Sequence, residues 1–301
     1  MTVEFAFGDP GNRSRGMLPM GLPLLSGEPR EPLADGVGPA AREPGFSLWR
    51  SPAGIAGYAR ANVGEDLEAA TGRIYAGLLQ ASRGLNLYRI WNCVPHINAA
   101  SPSGVENYRA FCKGRSLAFE TELGAAFASK LPAASGVGTA ENELTVVFLA
   151  GPLPTRHFEN PAQVPAYEYP PEHGPRAPSF ARATVVSKVA TVDAYISGTS
   201  AVVGHETVAP NETIGQLDCT IENLRLISRT CGLGDHLGIG FACRRHFKVY
   251  LRHPGDLAAV SERVERRILS PADRVTYLGA EICRAALNVE IEVAIRGADR
   301  S

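Results

Sequence analysis

No stretch of this 301-residue sequence carries the ~18 consecutive apolar residues that a membrane-spanning helix needs. Neither charge is in excess: 30 Lys and Arg against 31 Asp and Glu leave −1, so there is no basic field to hold nucleic acid or an acidic membrane. The six cysteines (Cys93, Cys112, Cys219, Cys231, Cys243 and Cys283) contain no CxxC pair and read as reduced, mostly buried thiols. Lysine is scarce: only Lys113, Lys130, Lys188 and Lys248. The other cations are arginines, planar and permanently charged forks that suit carboxylates. The N-terminal "MTVEFAFGDPGNRSRG" has acid and turn residues where a secretion signal has a basic start and an apolar stretch. A cytoplasmic protein is expected.

What remains is ordinary globular composition, 45% hydrophobic and 20% charged, in a chain long enough for two domains. Residues 1–45 are rich in Pro and Gly and read as a loosely ordered lead-in. Residues 46–151 follow as a first unit, with helices over "GEDLEAATGRIYAGLLQASRG" and "GVENYRAFCKGRSLAFETELGAAF" and strands over "LNLYRIWNCV" and "ELTVVFLAG". Eight prolines between Pro152 and Pro178 forbid helix and break sheet, so residues 152–178 form a connector long enough to lie over a site. Residues 179–301 then read as ββαβαββ, a rhythm close to that of the first unit, without a clean sequence repeat. Mixed α/β (α+β) architecture in two similar units is expected.

Several tempting motifs fail on context. "GLGDHLGIG" (Gly232–Gly240) follows a helix and precedes a strand, the reverse of a dinucleotide fingerprint. Cys231, His236, Cys243 and His246 do not make a zinc set, because Cys243 and His246 leave opposite faces of one strand. "SGTSAVVGHE" lacks the second glycine of a nucleophile elbow, and His205-Glu206 lacks the second histidine of a zinc-protease motif. No metal or cofactor is expected. Arg109 after Tyr108, Arg176 and Arg182 around "APSFA", and Arg252 at the end of "KVYLR" are candidates to converge on a ligand with more than one carboxylate. In "ALNVEIEVAIRG", Val289, Ile291 and Val293 alternate with Asn288, Glu290 and Glu292. That is a half-buried strand whose second face carries two carboxylates.

Two resemblances follow from these segments. "APSFARATVV", "AYISGT", "TIENLRLI", "KVYLRHPGDLAAV" and "ALNVEIEVAI" resemble the reactive-intermediate deaminase (Rid, or YjgF) fold, in which the residue matching Glu290 faces the cleft. That family's catalytic arginine is expected near position 275, where this chain has Val275, with Arg274 one step away on the other face. Over roughly residues 47–296 the closer resemblance is to the chorismatases, carried by "LYRIWNCVPHIN", "ENYRAFCKGRSLAFE", "YPPEHGPRAPSFAR", "SGTSAVVGHETV" and "VTYLGAEICRAALNVEIE". It implies two Rid-like units, chorismate as small-molecule substrate, and Glu290 as the general acid; on the strand's polar face Glu292 is then expected as its more solvated neighbour. It further implies Tyr108, Arg109, Arg176, Phe180, Arg182, Gly198, Arg252 and Cys283 around the substrate. Gly198 and Cys283 match the members that aromatise chorismate to 3-hydroxybenzoate plus pyruvate, a glycine giving the ring room to tilt. Release of a dihydroxycyclohexadienoate, imine deamination and non-catalytic binding are the alternatives. A monomer and a homotrimer are both compatible with such a chain.

Overall fold

The first 45 residues, expected as a loosely ordered lead-in, carry five short strands in the computed structural model, which describes residues 1–8, 16–43, 45–64, 66–101 and 104–299. These are β1 (Val3–Ala6), β2 (Met17–Pro19), β3 (Leu24–Gly27), β4 (Arg30–Ala34) and β5 (Ala41–Glu43). β1 pairs with β2 and β4 in a small sheet, while β3 and β5 extend the edges of two larger ones. Strands of three to five residues fit between the Pro and Gly positions, and Val3, Phe5, Leu18 and Leu33 bury their side chains fully enough to hold them. Residues 9–15 of the lead-in lie outside the described residues.

The first unit runs β6 (Phe46–Ser51), β7 (Gly54–Asn62), α1 (Leu67–Ala81), β8 (Asn86–Pro95), α2 (Asn107–Leu123), β9 (Ala133–Thr139) and β10 (Glu143–Gly151). β9, "AASGVGT", has too little apolar alternation to announce itself in sequence, yet it pairs in parallel with all of β8 from Arg89 to Pro95. Within the proline-rich connector, β11 (Thr155–Phe158) joins the second sheet against the next strand. The second unit comprises β12 (Ala183–Ser187), β13 (Thr191–Thr199), the hairpin β14 (Val202–Val203) and β15 (Glu206–Thr207), α3 (Thr213–Thr230), β16 (Arg244–Leu251), α4 (Leu257–Arg267), β17 (Arg274–Gly279) and β18 (Val289–Asp299).

The sheet orders are β5-β6-β7-β10-β8-β9 and β11-β12-β13-β18-β16-β17-β3. Stripped of their edge additions, both read first, second, fifth, third, fourth strand of a ββαβαββ unit. The duplication invisible as a sequence repeat is plain as topology. Helices cover one face of each sheet: α1 and α2 the first, α3 and α4 the second, each over its own apolar cluster. The other two faces meet through a third cluster that includes Phe5, Trp91, Tyr195 and Tyr250, with the N-terminal strands packed into it. Edge strand β9 lies against β13, where the Ala134 amide donates to Ser197 Oγ at 2.9 Å. Alternation along β18 therefore places Val289, Ile291, Val293 and Ile295 under the helices and turns Glu290 and Glu292 into the layer between the sheets.

Candidate active site

Two carboxylates on one buried face, each 3% exposed, must either be paired or stay protonated. The protein does one of each. Glu292 accepts from Trp91 Nε1 at 2.7 Å and Arg89 Nη2 at 2.8 Å, and also from the Ser135 hydroxyl. Lys248 Nζ lies 2.7 Å from Glu292 Oε1, the oxygen that also accepts from Trp91, and pairs as well with Glu31 from β4. Burial alone would raise its pKa, but Lys248, Arg89 and the hydrogen bonds outweigh that and hold Glu292 down at about 2. The expectation of a more solvated Glu292 is thus corrected: a strand face shared with an inter-sheet layer is dry, and Glu292 is an ionised, fully paired group.

Glu290 has the opposite surroundings. Desolvation, and next the Glu292 charge two residues away, push its pKa up to about 8 against the pull of Arg89 and Arg182. The desolvation comes from the facing sheet, since Val289 and Ile291 point to the helices. Glu290 Oε1 is buried and has no hydrogen-bond partner among the described residues. Its space exists because position 198 is glycine: a Cβ there would overlap that oxygen. The Gly198 amide also donates to Ser135 Oγ at 3.0 Å, tying β13 to β9 beside the carboxyl.

A cavity of about 250 Å³ opens above Glu290, between α2, the connector and the loop before β18. Of the residues expected around a ligand, Tyr108, Arg109, Phe180, Arg182, Gly198 and Cys283 line it with Glu290. Arg176 and Arg252 do not. Arg176 faces outward to Glu120 at 2.8 Å. Arg252 is spent on the fold, donating to Leu287, Ile282 and Arg284 carbonyls and to Asn98 Oδ1 of the first unit. Arg274, the neighbour of the missing deaminase arginine, is exposed and outside the cavity.

Besides Arg109, three guanidinium groups among the described residues face the space. Arg182 donates to Tyr169 OH at 2.8 Å and lies 5.0 Å from the Phe180 ring centre. Arg115 is buried, 4.8 Å from the Phe111 ring centre and 5.9 Å from that of Phe180, and its Nε has no partner among the described residues. Arg284 donates to His205 O and Thr207 Oγ1. Arg182 has Glu159 at 3.9 Å, whereas Arg115 has no carboxylate partner among the described residues, which is costly for a buried guanidinium unless an anionic ligand completes it. Arg109 lies at the rim, bound to Glu106 at 3.3 Å and to the Glu172 carbonyl.

Residues 46–150 match the family model described as "Chorismatase FkbO/Hyg5-like, N-terminal". A chorismatase of Streptomyces rapamycinicus is 34% identical over 86% of this chain and 79% of its own length. The chain belongs to the chorismatase family. A chorismatase crystal structure superposes with TM-score 0.84 at 30% identity, covering 98% of this chain and 92% of that one. A 3-hydroxybenzoate synthase of Streptomyces hygroscopicus is 39% identical over 69% of this chain, and the match spans 62% of that protein.

The chain, a member of the chorismatase family, brings to the cavity and its surroundings residues that sequence reasoning missed. Arg115 follows Tyr108 by seven positions and so shares its helix face; a heptad-spaced tyrosine and arginine on an apolar stripe was the available signal. Lys248, between Phe247 and Val249 of a strand, was a charge on a buried alternation. Ser135, Tyr169 and Arg284 sit in segments without periodicity; Tyr169 and Arg284 fall in segments that carry the family resemblance, but nothing there singled them out. Cys283 lines the cavity as a neutral thiol, its pKa raised to about 12 by burial and then by Glu290. It contributes shape there, not a thiolate.

Proposed function

We propose that this chorismatase-family protein converts chorismate to 3-hydroxybenzoate and pyruvate, with Glu290 as the general acid. The observation that carries the proposal is the unpartnered Glu290 Oε1 at the floor of a cavity lined by Arg115, Arg182 and Arg284. The terminal CH2 of the enolpyruvyl ether is a weakly basic carbon, and its protonation needs an acid still protonated near neutral pH. A carboxyl with a pKa of about 8 meets that need. The proton forms a C–H bond at the CH2, positive charge develops on the ether carbon, and the ring C3–O bond breaks with its electrons staying on pyruvate. The arginines hold the two substrate carboxylates and fix the ring over Glu290.

For the ring, the C4 hydroxyl takes the place of an external water: its oxygen bonds to C3 as pyruvate leaves, its proton returns to Glu290, and the epoxide isomerises to the phenol. The two products together contain every atom of chorismate. Gly198 and Cys283 favour this course by leaving the ring room beside Glu290, and the 39% identity to a 3-hydroxybenzoate synthase favours it as well. The test is incubation with chorismate in the absence of added metal. Pyruvate is followed by a coupled assay and the ring product by chromatography against standards. Pyruvate with 3-hydroxybenzoate is expected. Pyruvate with a non-aromatic dihydroxy acid would keep the acid chemistry and overturn the intramolecular step; no pyruvate would overturn both.

A further inference from the structure

At the mouth of the cavity, the turn before Gly174 meets the turn between β14 and β15. There His173 Nε2 and His205 Nδ1 lie 3.1 Å apart. Glu172 Oε1 is 3.9 Å from the first and 3.7 Å from the second, so three donor atoms from two segments lie within 4.8 Å of one another. We propose that Glu172, His173 and His205 form a binding site for a divalent transition metal, Zn²⁺ by donor chemistry, and that filling it clamps the connector over the cavity and slows turnover.

Zinc bonds of about 2.0–2.1 Å at tetrahedral angles separate ligand atoms by about 3.3 Å. The two imidazole nitrogens are already near that spacing. The carboxylate is about half an ångström too far, but its side chain is 63% exposed and free to close by rotation. Glu206 Oε1, 3.3 Å from His205 Nδ1, is within reach of the fourth position, which otherwise takes water. A His₂Glu set selects zinc over magnesium, which prefers oxygen donors. Tyr169 packs against both histidines, with ring centres 5.1 and 6.4 Å away, and so orients them. Arg284 opposes a cation here, its guanidinium 5.4 Å from the Tyr169 ring centre, and the Glu172 and Glu206 carboxylates offset it.

The consequence for turnover follows from continuity. His173 and Tyr169 line the cavity, Tyr169 OH accepts from Arg182, and Arg284 holds the His205 carbonyl at 2.8 Å. A metal joining His173 to His205 would therefore fix the mouth on the same residues that face the ligand. Binding is independent of the proposed reaction; the inhibitory effect rests on it.

The experiment titrates Zn²⁺, and Mg²⁺ in parallel, into chelator-treated full-length protein by calorimetry. Pyruvate release from chorismate is measured across the same range. One equivalent of Zn²⁺ bound at micromolar affinity is expected, with no response to Mg²⁺. His205→Ala and the exposed Glu172→Gln should each weaken binding, the histidine change by more than about tenfold, since even losing a partner behind a metal ligand costs 10–100-fold. Turnover should fall as the site fills, recover with chelator, and lose its zinc sensitivity in His205→Ala, read as the ratio with and without metal. Absence of saturable binding below about 100 μM, or binding unchanged in both variants, would overturn the site. Stoichiometric binding with turnover unaffected would overturn the clamp. Protein with no pyruvate release at all would fail the proposed reaction, with calorimetry still deciding the site.

Discussion

Replacing Glu292 with glutamine tests how the acid is made. Glu290 and Glu292 share a strand face two residues apart, a separation of about 6.6 Å at about 3.3 Å per residue. With an effective dielectric constant of about 20, two unit charges at that distance repel by about 2.5 kcal/mol, or roughly 1.8 in pKa. Removing the Glu292 charge also leaves Lys248 and Arg89 with less to neutralise them, which pushes the same way. The Glu290 pKa should fall from about 8 to about 6. The sign follows from the role: a general acid works protonated, so activity is present below its pKa and lost above it, and the alkaline limb moves to lower pH. At about pH 7.5 the protonated fraction drops roughly tenfold or more, while at about pH 5.5 it stays high in both proteins. The assay is kcat/KM for pyruvate release from pH 5 to 9, with circular dichroism to confirm the fold. Lys248 keeps Glu31 as a partner, which limits the damage of an uncompensated buried charge. A uniform loss of activity with an unmoved alkaline limb would refute the tuning argument, as would a limb moved upward.

Glu290→Gln should lower pyruvate release by about 10²–10⁴-fold and at the same time stabilise the protein at alkaline pH. The raised pKa costs nothing below the unfolded value of about 4.3, and the penalty grows as pH rises from there to about 8, with an upper bound of about 5 kcal/mol. Melting scans should therefore show the variant more stable at pH 8 and equal to the parent at pH 4; equal stability at both would contradict the buried, protonated state. Arg115→Lys should raise KM for chorismate by about tenfold or more with a smaller change in kcat, because an ammonium cannot reproduce a planar two-point contact; an unchanged KM would remove Arg115 from the substrate site. Gly198→Ala should push the Glu290 carboxyl aside, reduce kcat, and shift the ring product from 3-hydroxybenzoate toward the dihydroxy acid on chromatography. Full activity with an unchanged product would mean that the space at Gly198 is not used.

Local pattern was enough to read the helices, the strand β18 with its two faces, the ββαβαββ order of the second unit, and the likeness that pointed to Glu290. Those features depend on neighbours in sequence: alternation along "NVEIEV", acids and stops at helix ends, and breakers in the connector. What tertiary structure decided depends on partners hundreds of residues apart. Glu292 is ionised because Arg89, from the other unit, and Lys248, braced by Glu31 of an N-terminal strand, converge on it. Arg252 looked like Arg182 in sequence, yet one ties loops together and the other faces the cavity, since only the packing of the two sheets assigns an arginine to a carbonyl or to a ligand. The sequence by itself determined that two carboxylates would share one strand face. Which of them kept its proton was settled by the charges that the opposing sheet brought to each.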